Sequence, residues 1–449
     1  MPDAARTAVL RSAVVGVLPQ VREWLDELVR IPSVSDVDGD APEVRRSAEA
    51  VARMLTDAGF AEVDTVREGG RPAVIARHPA PAGAPTVLLY AHHDVQPAGD
   101  EAEWDSPPFE PSERAGRLHG RGAADDKAGI AAHLAAFLAH DARPPVGVTV
   151  FVEGEEESGS ESLPAILQRH RDRLAADVVV IADSGNWDIG VPALTTSLRG
   201  IANCIVEVQT LEHGVHSGMF GGVAPDAITT LARLLASLHD DEGNVAVSGL
   251  GSGPASDLDY PEHRLRAEAG MLDGVSQMGS GPAVERLWTR PAICVTGIDA
   301  PAAAHASNTL VPLARAKVSL RVAPGDDCHD ALAALTRHLQ AHAPWGAHVR
   351  VVDPDLGQPF TIDARGPAYD AARAAFTAAW DGAAPVDIGV GGTIPFIAEL
   401  AAAFPAAAIL VTGVCDPDTR PHGANEGLHL DEFAKVCLAE ALLLDRLGA

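Results

Sequence analysis

Apolar residues in the first part of the chain follow two patterns, a helical period in some segments and short continuous runs in others. The helical period predicts amphipathic helices at residues 19–30, 43–59 and 127–140, the second of them ended by Gly59. Continuous apolar runs, typical of strands buried on both faces, occur at residues 86–91, 146–152 and 177–182. This order of strands and helices predicts an α/β fold with a mainly parallel sheet.

After residue 198 the pattern changes to that of a smaller α+β domain. Strands are predicted at residues 201–210, 292–298, 315–323 and 348–352, and helices at residues 225–239 and 330–342. Their order along the chain, β-α-β-β-α-β, is typical of a ferredoxin-like sandwich. Residues 241–290 interrupt this order and are rich in Gly, Ser and Pro, so we expect them to form a long loop or lid.

The pattern of the first part returns near the C-terminus. Residues 368–380 predict a helix, residues 406–412 a strand, and residues from 431 onward a final helix. We therefore expect one α/β domain that is interrupted by the smaller α+β domain. The larger domain is predicted to comprise residues 1–198 and 359–449, and the inserted domain residues 199–358.

Charge and composition narrow the classes of function. The chain has 449 residues, with 34 Lys and Arg against 62 Asp and Glu, which gives a formal net charge of −28. Such an acidic surface repels phosphate backbones and anionic lipid, so we expect neither a nucleic-acid nor a membrane partner. The five cysteines are far apart in sequence, and no secretory signal or membrane-spanning stretch is recognisable, so we expect a cytoplasmic protein.

Residues able to bind a metal ion occur where the predicted strands of the larger domain end. They are His92, His93, Asp94, the acids at 155–157, Asp183, Asp416, Asp418 and His422, together with Asp125 in a Gly-rich turn. Ligands of open α/β sheets bind at the carboxyl ends of the strands. Each residue alone is more commonly a cap, a turn residue or part of a solvated acidic run. Their coincidence at one sheet edge predicts a metal site.

Other motifs favour ordinary structural roles. Residues 389–393 (GVGGT) resemble a phosphate loop, but they lack its lysine and no buried strand is predicted before them, so a nucleotide site is not expected. His213 and His216 have nearly the spacing of metal ligands, yet no further ligand clusters with them in sequence. The chain has no G-x-S-x-G motif, which argues against a serine hydrolase of that type.

Five segments in this order carry a resemblance: YAHHDVQP, GRGAADDKAG, EGEEESGS, the lone Asp183 and HGANE. Together they resemble the M20 family of metallopeptidases and, within it, the carnosinase-like cytosolic dipeptidases. The similarity runs from about residue 20 to the C-terminus. It implies two divalent metal ions per subunit, usually zinc. By the same resemblance, the ligands of these ions are His92 and Asp183 on one, Glu157 and His422 on the other, and Asp125 bridging both.

The resemblance also implies roles for residues that are not ligands. Asp94 would steady the imidazole of His92, and Glu156 would be the general base. Substrate contacts in and beyond the inserted domain would come from His216, Arg321, Gly392 and Thr393. The inserted domain would form a homodimer and carry His216 to the neighbouring active site. A cis peptide bond is implied between Asp125 and Asp126.

Elementary chemistry agrees with this assignment. Three carboxylates and two imidazoles leave two divalent ions with a net charge of about +1, so that a water molecule between them is acidified and still nucleophilic. The mixture of nitrogen and oxygen ligands suits zinc, with manganese or cobalt as alternatives. In an extended segment His92 and Asp94 lie on one side and His93 on the other. The sequence departs from the family at Ala91, where a Gly is usual, and at the additional acid Glu155.

We therefore expect a metal-dependent hydrolase that cleaves the amide bond of dipeptides or similar short peptides with a free C-terminal carboxylate. An amidohydrolase of N-acyl- or N-carbamoyl-amino acids is the alternative, because it would use the same metal core. A third possibility is a catalytically silent binding protein on the same scaffold. The intact set of predicted ligands and base argues against this possibility. The side-chain preference does not follow from the sequence.

Overall fold

The computed structural model describes residues 3–35, 41–392 and 395–449, which divide into two compact units. The first unit lies within Met1–Thr196, Ile362–Ile388 and Pro395–Ala449, and the second within Ser197–Thr361 and Gly389–Ile394. The sequence predicted domain boundaries after residues 198 and 358. That these boundaries separate independently folding domains stays a prediction. No sequence signal pointed to the short second-unit segment that begins at Gly389.

The largest sheet is built around four parallel strands. Its strands, in spatial order, are Glu62–Val66, Ala73–His78, Gly147–Glu153, Thr86–His92, Val178–Ile181, Ala408–Val411, Ala193–Leu198 and Phe360–Thr361, and Val386–Val390 also pairs with Ala193–Leu198. The pairs joining the four central strands, from Gly147–Glu153 to Ala408–Val411, are parallel. The pairs outside this block for which a register is given are antiparallel. The prediction of an α/β fold around a parallel sheet is confirmed.

Several helices belong to the first unit. They are Asp3–Val29, Pro42–Ala58, Lys127–Leu138, Leu163–Arg169, Arg171–Leu174, Pro367–Ala379, Pro395–Ala403 and Leu430–Leu447, with single 3-10 turns at Glu101–Glu103 and Glu156–Ser158. A small separate sheet comprises Ser112–Arg114, Arg117–His119 and Gly427–His429. Gly59 ends the second helix as predicted, with φ of 106° and its N–H donated back to that helix. No helix within the described residues is both long and apolar enough to cross a membrane.

The second unit has the predicted ferredoxin-like order of elements. Its antiparallel sheet has the strand order Ala292–Asp299, Leu313–Val322, Gly200–Gln209 and His348–Gly357, and its two long helices are Ala227–Ala236 and Cys328–Ala341. Buried aliphatic residues of the strands and helices form one shared core, among them Val206, Leu231, Val318 and Leu335. Shorter elements are Val215–His216, Ser217–Phe220, Glu262–Glu268, Ala283–Trp288, Ala303–His305, Thr309–Leu310 and Pro344–Gly346.

The structure contains elements that the sequence did not predict, and three cases are informative. The segment 241–290, expected to be a loop, contains the short helices Glu262–Glu268 and Ala283–Trp288. Strand Glu62–Val66 was missed because most of its residues are exposed and polar, so no apolar run marks it. A partly buried strand, Val386–Val390, was not predicted, and it includes the first glycine of the GVGGT segment.

Candidate metal centre

Strand Thr86–His92 delivers the first imidazole. The His92 Nδ1–H donates to the backbone carbonyl of Asp94 at 3.0 Å, which leaves Nε2 as the nitrogen with a free lone pair. The His93 Nε2–H donates instead to the carbonyl of Pro72 at 2.9 Å, and burial lowers the pKa of His93 to about 4. The alternation of an extended chain therefore directs His92, and not His93, toward the acids of the site.

Asp125 lies between two imidazoles. Its Oδ1 is 3.3 Å from His92 Nε2, and its Oδ2 is 3.0 Å from His422 Nε2. The peptide bond between Asp125 and Asp126 is cis, as the resemblance implied. Burial alone would raise the pKa of Asp125, but the neighbouring imidazoles of His422 and His92 hold that pKa below its usual value. One carboxylate thus presents a separate oxygen to each histidine, the arrangement expected of a bridging ligand.

Three further acids complete the cluster. Glu157 Oε2 is 3.3 Å from His422 Nε2, and both Glu156 Oε2 and Asp183 Oδ1 are 3.9 Å from His92 Nε2. Two groups of three residues each have ligand atoms that all lie within 4.8 Å of one another. One group is His92, Glu156 and Asp183, and the other is His92, Asp125 and Glu157. The structure therefore brings the five predicted ligands and the predicted base together. The division of roles between Glu156 and Glu157 stays a prediction, because both lie within reach of a cation.

The chemistry of this cluster fits divalent cations. His92 Nε2 and Glu157 Oε1 are buried without a hydrogen-bond partner, which is unfavourable unless another group satisfies them. Burial raises the pKa values of Glu156 and Asp183 well above their usual range, and nearby carboxylates add to the effect against the opposing influence of His92. Asp125 and Glu157 raise the pKa of His422 to about 10. Cations would relieve this concentration of negative charge, and nitrogen and oxygen donors suit zinc, manganese or cobalt.

Asp94 does more than contact the imidazole. Its Oδ1 is 3.4 Å from His92 Nδ1, and its two carboxylate oxygens accept the backbone N–H groups of Glu156 at 3.2 Å and Glu157 at 3.0 Å. Asp94 is fully buried. It therefore holds the turn that carries the predicted base and one predicted ligand. The sequence did not indicate this second role of Asp94.

Glu155 is not a spare carboxylate of the site. Its oxygens accept the backbone N–H groups of Arg71 at 2.7 Å and Ser162 at 2.6 Å. Gly70 lies directly against it, and a side chain at that position would collide with the carboxylate. Glu155 thus fastens the acidic turn to two neighbouring loops.

Asp416 and Asp418 were wrongly grouped with the metal-binding residues. Asp416 Oδ1 lies 2.6 Å from Arg117 Nη2 and also accepts the backbone N–H of Asp418 at 2.9 Å. The side chain of Asp418 is 75% exposed, 3.7 Å from the same arginine. These acids follow a strand as ligands do, but Asp416 pairs with an arginine about 300 residues earlier in the chain and Asp418 is largely exposed.

Three of the predicted substrate contacts, His216, Arg321 and Gly392, lie in the second unit. His216 is exposed at the end of strand Val215–His216, and its Nδ1 accepts the N–H of Gly218 at 3.0 Å. Arg321 is half-buried on strand Leu313–Val322, where it pairs with Ala292. Gly392 follows strand Val386–Val390 and is half-buried, and Thr393 lies outside the described residues. Their roles stay predictions.

Two further functional candidates lie in the motifs named above, but the sequence indicated no role for them. Glu426, the acid of HGANE, and Arg121, in the Gly-rich turn, are both fully buried and form an ion pair of 2.7 Å. An acid four residues after a predicted ligand histidine was the available signal.

Comparison of the sequence and of the fold with known proteins identifies similar peptidases. The sequence profile of peptidase family M20/M25/M40 matches residues 88–446. A cysteinylglycine-S-conjugate dipeptidase of Corynebacterium striatum is 34% identical over 431 residues, covering 95% of each chain. A Beta-Ala-His dipeptidase of Rattus norvegicus is 29% identical over 443 residues, covering 91% of this chain and 88% of that protein. The structures of the dipeptidase Dug1p from Saccharomyces cerevisiae and of human carnosine dipeptidase 1 each superpose with a TM-score of 0.81 at 24% identity, over 98% of both chains, which shows a common fold.

Proposed function

This chain belongs to peptidase family M20/M25/M40, and from that premise we propose that it is a metal-dependent dipeptidase. It cleaves the amide bond of dipeptides, or of similar short peptides, that end in a free carboxylate. The observation that carries the proposal is the position of Asp125, whose two oxygens face His92 and His422 separately. The names of relatives that cover more than nine tenths of this chain support dipeptides as the substrate class.

The residues of the first unit would hold two ions. His92 and Asp183 serve one, Glu157 and His422 the other, and Asp125 is shared. Bound divalent ions act as Lewis acids and make water nucleophilic at neutral pH. We propose zinc as the resident metal, with manganese and cobalt as the alternatives to be compared.

Glu156 is the general base of this proposal. It takes the proton of the attacking water and later delivers it to the leaving amine nitrogen. Burial, which raises the pKa of Glu156, suits a carboxylate that must hold a proton between these two steps. Asp94 keeps Glu156 in place because its carboxylate accepts a hydrogen bond from the backbone N–H of Glu156.

Recognition of the substrate is assigned to the second unit. Arg321 would pair with the terminal carboxylate, since a guanidinium can donate two parallel hydrogen bonds to it. Gly392 and Thr393 would contact the same end, and His216 would donate a hydrogen bond to the oxyanion.

A homodimer is part of the same proposal, with His216 serving the neighbouring active site. Apolar side chains directly after His216 support a contact with a second chain, because Met219, Phe220 and Val223 are 75%, 47% and 92% exposed. Their position beside the predicted oxyanion donor would place a subunit interface next to the substrate. The five cysteines, all unpaired, support the cytoplasm as the compartment.

A substrate panel tests the proposal against its alternatives. Protein loaded with zinc, or with manganese, is assayed with dipeptides, with the same dipeptides amidated at the C-terminus, and with N-acyl- and N-carbamoyl-amino acids. We expect turnover of the free dipeptides and little of the amidated ones. Turnover restricted to acyl or carbamoyl compounds would favour the amidohydrolase, and metal binding without any turnover would favour a binding protein.

A further inference from the structure

We propose that Glu426 is a positioning residue that holds the Gly-rich turn in the conformation that lets Asp125 serve both metal ions. It does so without binding metal itself. This inference rests on the metal centre of the proposed function. It concerns only the first unit.

The contacts of Glu426 converge on the turn that carries Asp125. Oε2 accepts Arg121 Nη1–H at 2.7 Å and the N–H of Gly122 at 3.0 Å. Oε1 accepts the N–H of Ala124 at 2.9 Å and the N–H of Asp125 at 3.1 Å. The backbone carbonyl of Glu426 also accepts the N–H of Gly120 at 3.1 Å. One residue therefore accepts hydrogen bonds from four backbone N–H groups and one guanidinium.

This set of donors defines what Glu426 does. All four partners of the carboxylate are donors, so an ionised acid fits them and a neutral amide does not. Both oxygens are already used, which leaves Glu426 poorly suited to be a metal ligand. Arg121 supplies the compensating charge inside the protein, and it is itself held by the carbonyl of Pro97 at 3.3 Å and by the ring of Trp104, whose centroid is 5.6 Å away.

Glu426 also links two predicted ligands that are distant in sequence. His422 lies four residues earlier in the same segment, and Asp125 lies 301 residues before Glu426. The loop that presents His422 is thereby fastened to the turn that presents Asp125, whose Oδ2 is 3.0 Å from His422 Nε2. If the carboxylate no longer accepts these N–H groups, we expect both ligands to lose their alignment together.

Zinc affinity of the Glu426→Gln variant tests this role. Full-length metal-free protein competes with a chromophoric chelator for Zn²⁺, and thermal unfolding of the same sample is recorded. Outer partners of metal ligands typically contribute about 10–100-fold to affinity, so we expect a loss of that order in Glu426→Gln. The matched control is Glu432→Gln. Glu432 is also fully buried and pairs with Lys435 and with Trp380 Nε1, but none of these contacts involves a ligand-bearing turn.

A double variant separates positioning from simple neutralisation of Arg121. Arg121→Met combined with Glu426→Gln removes the buried ion pair as a unit. If Glu426 served only to neutralise Arg121, this variant would bind Zn²⁺ as the wild type does, and the inference would be overturned. We expect it to bind as weakly as Glu426→Gln, because the amide NH2 that replaces one carboxylate oxygen cannot accept, so the N–H groups of the turn still lack part of their acceptor.

The results also distinguish this inference from the proposed function. Equal zinc affinity in wild type, Glu426→Gln and Glu432→Gln would overturn the positioning role and leave the metal centre intact. A wild type that binds no Zn²⁺ would instead contradict the metal centre. The same double variant decides the question if Glu426→Gln alone does not fold.

Discussion

The two units hold their candidate functional residues in different ways. In the first unit, Asp94 and Glu426 accept backbone N–H groups from the turns that carry the predicted ligands and base. In the second unit, His216 is exposed, one of its nitrogens accepts a single N–H from the next turn, and exposed Met219 and Phe220 follow it. The candidate metal centre is thus held in place by contacts within one chain, whereas the region around His216 has surface that a substrate or a second chain can still cover.

Replacing the proposed general base of the first unit should have the greatest effect on turnover. Glu156→Gln should lower turnover by roughly 10²–10⁴-fold or more while both ions stay bound, since it removes a general base and not a ligand. Glu157→Ala should instead lose one ion or bind it more weakly. Turnover numbers and metal content are measured for both variants. Near-normal turnover in Glu156→Gln would show that the base is misassigned.

Mixing two inactive variants tests whether His216 of the second unit serves the neighbouring chain. Glu156→Gln and His216→Ala, each inactive alone, are mixed after reversible dissociation. If His216 serves the neighbouring site, a heterodimer has one site with both defects and one with neither. Random pairing then restores about a quarter of wild-type activity. Heterodimers that form without recovering activity would place His216 in its own chain's site or outside any site.

Arg321 should affect binding more than chemistry. Arg321→Met removes the proposed partner of the terminal carboxylate, a charged hydrogen-bonding interaction that typically corresponds to about 10–100-fold in KM. We expect kcat to change little. Steady-state kinetics on a dipeptide and its C-terminal amide provide the control, because the amide should be an equally poor substrate for both proteins. A variant with unchanged KM would remove Arg321 from the substrate site.

A modest effect is expected on the stability of the first unit in acid. Burial lowers the pKa of His93 to about 4 from its ordinary value of 6.5, so the unfolded chain binds the extra proton between these values. This contribution to stability is present above pH 6.5 and is lost as the pH falls toward 4. Between pH 7 and 5 the loss amounts to about 2 kcal/mol. Denaturant unfolding of metal-free wild type and His93→Gln should show a smaller loss in the variant, and equal losses would contradict the assignment.

The sequence predicted most where a local pattern leads directly to a position in the fold. Apolar runs marked the central strands, and because parallel strands end at one edge, His92 and Asp183 were expected to meet. The same reasoning failed for Asp416, because nothing local shows that Arg117 pairs with it. Strand ends bring polar residues to an edge, but partners from elsewhere decide which of them remain available.

The positioning contacts were beyond the reach of sequence patterns for a related reason. Asp94 meets the turn at Glu156 across 62 residues, and Glu426 meets Asp125 across 301. Hydrogen bonds from backbone N–H groups to a carboxylate leave no residue signature, because every residue except proline has an N–H. Such contacts appear only once the turns are folded against one another.

If one chain holds two ions through a shared Asp125, its metal content should show it. Wild type, Glu157→Ala and Asp125→Asn are loaded with zinc, freed of excess metal, and measured for bound ions per folded chain. We predict two ions in the wild type, one or fewer firmly bound in Glu157→Ala, and weakened binding of both in Asp125→Asn. A wild type with a single ion, or an Asp125→Asn variant that keeps two with unchanged affinity, would contradict the shared ligand.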